Sequence, residues 1–360
     1  MARLIPRPGS GPVVVFYISG HGFGHASRAI EVINTLIDRR PDLRILIRSS
    51  ATPWLVERTV RPGVTLIAGE VDTGAVQLDS LRLDAAESIR RAEQFMSTFR
   101  ERVSHEAAWL RAERAVLVVS DLPPLGIAAG HAAGLPSIGL GNFTWDWIYA
   151  HYDGGADVAH RIGEVYAEAD DVLRLPLWGG FDTFPRVTDI PFVARHSTKD
   201  PADVRDALGI PRDRPVVLAS FGGYGVDGLH AAALRALPEY HVLLPGMIDE
   251  AAMYASGFRY EDLVRAVDVV ATKPGYGIIS ECLANQTAML YTSRGDFREY
   301  PVLVEAMPAF LRCAYIDHQA LFSGDWAPAL NALLAQPPPP TRPATNGATI
   351  AADILLNILG

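Results

Sequence analysis

A chain of 360 residues exceeds what one hydrophobic core usually serves, so two domains are expected. Its 49% hydrophobic and 20% charged residues exclude a disordered chain and a coiled coil. A net charge of −9, from 32 basic and 41 acidic side chains with no basic run, argues against a general nucleic-acid binder. Any phosphate ligand must then be gripped locally.

PVVVFYIS (12–19) is a continuous β-rich apolar run, as expected of a strand buried on both faces of a parallel sheet. From Ala26 the apolar residues fall on one helical face and stop near Arg40-Pro41. LRILIRSS (43–50) reads as a second strand and TPWLVERTV (52–60) as a short helix. A long helical region follows over 82–113. AVLVVSD (115–121) is then a strand, PPLGIAAGHAAG (123–134) a helix and LPSIGLGN (135–142) a strand. Strands alternating with helices imply a parallel doubly wound sheet, whose ligands bind at the carboxyl ends of its strands. Residues 183–200 have little periodicity and read as a junction.

The pattern then restarts. RPVVLASFGGYG (214–225), YHVLLPG (240–246), VDVVATKPGYG (267–277) and TAMLYTS (287–293) read as strands of a second domain, with GIISECLANQ (277–286) as a helix. QPPPPTRP (336–343) cannot be helix or inner strand, and IAADILLNIL (350–359) reads as a terminal helix. The expected domains are 1–190 and 191–340, with 341–360 packing back on the first.

Cys282 and Cys313 show neither CxxC nor His/Cys spacing, so no structural metal or disulfide framework is expected, and a reducing compartment fits. The run Val13 to Ile18 is too short for a signal peptide, and no run reaches the roughly 18 residues that span a bilayer. A cytoplasmic protein is expected, with peripheral membrane contact left open. Oligomeric state is not legible.

GHGFGH (20–25) opens like a dinucleotide fingerprint, but His25 stands at its third glycine and the second strand ends in Arg48-Ser49-Ser50 rather than a ribose-binding carboxylate. Arg48 could meet a 2′-phosphate, which keeps NADP as a distant alternative. A catalytic base fits better. In the first turn of a helix the macrodipole favours a neutral imidazole that can accept a proton, and Asp121, ending a neighbouring strand, could orient it. Alternatively, His25 packs at a helix start and Asp121 caps the helix after Pro123-Pro124; the residue pattern leaves both open.

The segments GHGFGHASRAIEV, SDLPPLGIAAGHAAGLPSIGLGNFTWDWIYAHY and TKPGYGIISECLANQTAMLYTSRGDFREYPVL resemble the glycosyltransferase-like N-terminal half of plant L-arabinokinases and related bacterial proteins. More distantly the chain resembles GT-B nucleotide-sugar glycosyltransferases of the lipid II-forming N-acetylglucosaminyltransferase type. The resemblance implies two doubly wound Rossmann-like α/β domains facing across a cleft. It implies an inverting, metal-independent transferase with no cofactor beyond its nucleotide-sugar donor, UDP-sugar being favoured. The acceptor would be a small-molecule or glycan hydroxyl.

Placed on this sequence, the resemblance implies His25 as base with Asp121 as its partner. It puts the donor on Gly222, Gly223, Tyr224 and Gly225 and on Gly275, Tyr276 and Gly277, with Glu281 at the ribose. A helix start at KPGYGIISE would offer free N–H groups and positive dipole to a diphosphate. Lys273 and Arg294 could add charge, and Ser280 shares that helix. GDFREYPVL places Asp296 and Glu299, with Arg298, against the donor sugar, although Glu stands where Gln is common. Gly22, Phe23, Gly24, Asn142, Trp145 and Asp146 are the acceptor-side candidates, because aromatic faces cover sugar CH surfaces and carboxylates accept hydroxyls. Two other readings share the fold: a nucleotide-sugar epimerase or hydrolase, and a non-catalytic nucleotide-sugar-binding module.

Overall fold

A computed structural model of the chain describes residues 11–222 and 225–360; Gly223 and Tyr224 lie outside the described residues. Two compact units divide it. The first runs to Val76 and adds Asp84–Val193 and Asn346–Gly360; the second comprises Gln77–Leu83 and Ala194–Thr345. The division after Val193 falls three residues beyond the expected one, and Gln77–Leu83 belongs with the second unit rather than the first.

The first sheet has seven strands: β1 (Val13–Ile18), β2 (Arg44–Ser49), β3 (Val64–Ala68), β4 (Ala115–Asp121), β5 (Ser137–Phe143), β6 (Asp171–Gly179) and β7 (Val187–Asp189). Their order is β3-β2-β1-β4-β5-β6-β7, parallel throughout. β1 is buried along its whole length, as its unbroken apolar sequence requires of a central strand. The second sheet is also parallel, with β8 (Val216–Ala219), β9 (His241–Leu243), β10 (Val269–Thr272), β11 (Ala288–Tyr291) and β12 (Cys313–Tyr315) in the order β9-β8-β10-β11-β12.

The helical region 82–113 is two helices, Ala85–Ser97 and Phe99–Ala112, interrupted at Thr98. The segment expected to be a junction contributes β7, which pairs with β6. Leu81 enters the core of the second unit beside Phe221 and Leu290, which accounts for the placement of its segment. Cys282 and Cys313 are free thiols. Among the described residues no helix is long and apolar enough to cross a membrane.

The terminal helix Gly347–Leu359 packs along Gly22–Arg39, with an ion pair between Arg39 and Asp353. Its first residue must be glycine: a Cβ there would lie 2.1 Å from the backbone oxygen of Pro191. Because backbone cannot swing aside as a side chain does, Gly347→Ala is expected to cost about 1–3 kcal/mol, measurable as a lowered urea midpoint.

Candidate active site

In the first sheet the winding direction reverses between β1 and β4, the position at which open α/β sheets hold ligands. Ile18, the last residue of β1, is in register with Asp121, the last of β4. The chain leaves β1 through Ser19 and Gly20, passes Gly22 at φ 71°, and enters the helix Gly22–Arg39. His25 therefore sits in the first turn, directly across from Asp121. Its Nδ1 lies 2.9 Å from Asp121 Oδ2, and the two residues are 6% and 1% exposed.

One turn on, Arg28 completes a buried network that the sequence reading missed. Its Nε donates to Asp121 Oδ1 at 2.8 Å, its Nη2 lies 2.5 Å from the same oxygen, and its Nη1 donates to Asn142 Oδ1 at 2.5 Å. Arg28 Nη2 is also 3.0 Å from His25 Nδ1. A carboxylate only accepts, so the contact with Asp121 requires Nδ1 to carry the proton and donate it; Arg28 Nη2, which can only donate, then lies beside that N–H without bonding to it. Nε2 is then the lone-pair nitrogen. The i, i+3 spacing of His25 and Arg28 on one helix was the available signal.

Asn142 was expected to meet an acceptor; it is instead fully buried, holding Arg28 and donating to Leu177 O at 3.4 Å. Leu122 and Leu177 both adopt φ 60°, the left-handed region that leucine rarely occupies. Their carbonyls accept from Tyr166 OH and Asn142 respectively. The strain thus lies just after β4 and inside β6, where its pairing with β5 shifts register, and both places help hold the network.

Trp145, expected to offer a ring face to an acceptor, is 1% exposed. Its ring is stacked between His25 at 6.1 Å and Tyr149 at 5.6 Å, with Phe143 and His21 edge-on, so it packs the imidazole in place. Asp146 is likewise committed: Oδ1 accepts the Trp147 N–H at 2.8 Å and Oδ2 the Thr183 hydroxyl at 3.4 Å, while burial raises its pKa. Phe23, Gly24 and Trp147 are partly exposed, with Phe23 edge-on to Trp54. A residue absent from the sequence reading, Asp72, lies buried near His25 and Trp145.

In the second sheet the winding reverses between β8 and β10, which places the glycine loop after β8 beside the loop after β10. Gly222 and Gly225 turn at φ 76° and 62°, and Gly225 N–H closes onto Gly222 O at 3.1 Å. Ser80 braces this loop, donating its hydroxyl to Phe221 O and its N–H to Gly225 O. The helix Tyr276–Asn285 starts at Gly275 with no side-chain cap, and a Cβ on Gly275 would meet nothing within 4 Å. The approach to that helix start is open, whereas Tyr276 is buried. Lys273 is partly buried; burial first, then Arg294, bring its pKa down to about 7 against the pull of Glu299 and Asp79.

Several expected donor contacts are engaged within the protein. The Ser280 hydroxyl donates to Gly277 O at 2.9 Å and is buried. Glu299, 3% exposed, pairs with Arg294 at 3.2 Å instead of presenting its carboxylate to a sugar; Arg294 also covers the Phe297 ring at 4.0 Å. Asp296 is exposed and Arg298 partly so. Glu281 Oε1 accepts from Arg195 Nε at 2.8 Å and from Nη2, and Arg195 lies 3.4 Å from Glu261 as well. Arg195 comes from the segment after β7, where no motif drew attention to it. Arg48, the residue on which NADP depended, is occupied: Nη2 donates to Glu106 at 2.7 Å and Nη1 to Ala68 O. Among the described residues, no group of three or more His, Cys, Asp or Glu could hold a metal ion.

This architecture is that of the GT-B glycosyltransferases. The glycosyltransferase of kitacinnamycin superposes with a TM-score of 0.64 at 19% identity, covering 98% of this chain and all of that one. A UDP-glucose:anthocyanidin 3-O-glucosyltransferase solved with UDP gives 0.57 at 11% identity, over 97% and 95% of the two chains. In sequence, the chain is homologous to L-arabinokinase of Arabidopsis thaliana, 31% identical over 357 residues, 95% of this chain and 34% of that protein. It thus spans about a third of that curated relative's length. No family model matches it.

Proposed function

We propose that this chain is an enzyme that transfers a glycosyl group from a nucleoside-diphosphate sugar, a UDP-sugar in first place, to an acceptor hydroxyl, with inversion. The observation that carries the reading is the buried His25–Asp121 pair at the winding reversal of the first sheet. His25 Nε2 takes the acceptor proton as the acceptor oxygen bonds to the anomeric carbon. The bond from that carbon to the diphosphate breaks, and the diphosphate leaves with the electron pair. Phe23, Gly24 and Trp147 are partly exposed positions of the first unit suited to an acceptor.

The departing charge falls to the second unit. The N–H groups at the start of Tyr276–Asn285 and the Gly222–Gly225 turn bind the diphosphate, and Lys273 and Arg294 supply positive charge without a metal. Glu281, steadied by Arg195 through one oxygen, keeps the other for the ribose. The donor and acceptor chemistry of the solved relatives supports this reading by analogy of fold.

The test is a proton NMR assay of the chain with UDP-sugars and other nucleotide sugars against small-molecule and glycan acceptors. Transfer is expected, with the product's anomeric coupling opposite to the donor's. Donor conversion without any acceptor would favour the epimerase or hydrolase reading, and binding without turnover the non-catalytic one.

Lys273 gives a pH prediction. Above about pH 7 its amine is largely neutral in the free protein, and a bound diphosphate favours the ammonium. Donor binding should therefore take up as much as about one proton and weaken as pH rises through that value. Calorimetry at pH 8 in buffers of different ionisation enthalpy measures the uptake, which Lys273→Met should abolish.

A further inference from the structure

Asp121 is a poor source of net negative charge for His25, because Arg28 is bound to it by two nitrogens in a site almost closed to solvent. The pair orients the ring yet is close to neutral as seen from it. A base that takes a proton in such a place becomes an imidazolium for which the network holds no counter-charge. One further carboxylate lies close by: Asp72 lines a cavity together with Trp145, whose ring stacks on His25. Asp72, in the loop after β3, is 7% exposed, and its Oδ2 accepts no hydrogen bond among the described residues. Its loop is fixed on both sides: Tyr149 OH donates to Gly74 O at 2.8 Å, and the Ala75 N–H reaches His21 Nδ1 at 3.3 Å.

Resting on the base reading above, we infer that Asp72 is a positioning residue whose buried carboxylate, one oxygen of which accepts no hydrogen bond among the described residues, balances the imidazolium that His25 becomes when it deprotonates the acceptor. Asp121 sets the ring's tautomer and Asp72 supplies the charge, so two functions usually joined in one carboxylate are divided here. The ionisable groups facing Asp72 are His25 and Asp121, together with the phenols of Tyr149 and Tyr166. Burial pushes Asp72 up to about 6, and Asp121 adds to the rise, while Ser19, His25 and the Trp145 indole oppose it.

The folded chain thus binds a proton on Asp72 that the unfolded chain has already released between the usual carboxylate range and about pH 6. Stability therefore falls as pH rises through that window. An ionised, buried Asp72 at neutral pH costs stability, and Asp72→Asn should raise Tm at pH 8 while changing it little at pH 3.5. Function would explain a residue that weakens the fold.

The decisive experiment follows the Asp72 carboxyl by carbon-13 NMR in wild type and in His25→Gln, alongside transfer rates of Asp72→Asn. Electrostatic coupling is reciprocal, so loss of the histidine should move the Asp72 midpoint to higher pH. Asp72→Asn should transfer about tenfold or more slowly with donor KM unchanged. An unmoved Asp72 midpoint in a His25→Gln protein that has lost transfer would overturn the role of Asp72 and leave the base in place. Asp72→Asn transferring at the wild-type rate would do the same. Full transfer by His25→Gln would overturn both.

Discussion

Replacing His25 with alanine is expected to slow glycosyl transfer by about 10²–10⁴-fold while leaving donor affinity unchanged. The loss should be large because no other described side chain combines a proton-accepting nitrogen at the first winding reversal with a carboxylate that fixes its tautomer. The affinity should hold because the candidate donor groups, from Gly222 to Glu299, belong to the second unit. Asp121→Asn should also slow transfer: an amide can donate to Nδ1 and so favour the tautomer with the proton on Nε2, where a base must have none. Steady-state kinetics with the donor varied separates these effects, since both variants should lower kcat with KM nearly constant.

The second large effect concerns stability. Arg28→Ala removes the cation from Asp121, leaving a carboxylate that is 1% exposed beside His25, and takes the Arg28 hydrogen bond from Asn142. Breaking a buried ion pair from one side costs about 3–5 kcal/mol, enough to exhaust a large part of an ordinary domain's stability. Adding Asp121→Asn to Arg28→Ala should recover part of the loss, because the stranded charge goes with it. Urea unfolding of the two single variants and the double variant gives the coupling directly. If the losses simply add, the network is not the unit described here.

What the sequence disclosed and what it concealed follow from the range of the forces involved. β1, β4 and β10 are legible because a central parallel strand must be apolar along its length, and PVVVFYIS, AVLVVSD and VDVVATK advertise it. His25 and Asp121 drew attention in the sequence because one follows a strand into its helix and the other ends a strand, both at a sheet's carboxyl edge. β7 was not, since an edge strand of three residues needs no apolar run. Arg28, Asp72 and Arg195 were hidden for another reason: a buried charge is recognised by its partner, and those partners lie 93 residues away for Arg28 and 86 for Arg195. Trp145 and Glu299 show the converse. Their chemistry suits a sugar, and only packing shows that His25 and Tyr149 cover the one and Arg294 holds the other.

If the second unit grips a nucleoside diphosphate at Gly275–Gly277, a calorimetric titration of wild type and Gly275→Ala with UDP, GDP, dTDP and ADP will reveal it. A Cβ at Gly275 meets no protein atom within 4 Å, so the variant should fold with stability within about 1 kcal/mol of wild type while its methyl group obstructs the diphosphate. One nucleoside diphosphate, UDP first, is expected to bind wild type and to bind Gly275→Ala much more weakly. Equal binding to both proteins, or no binding of any nucleotide to wild type, would contradict it.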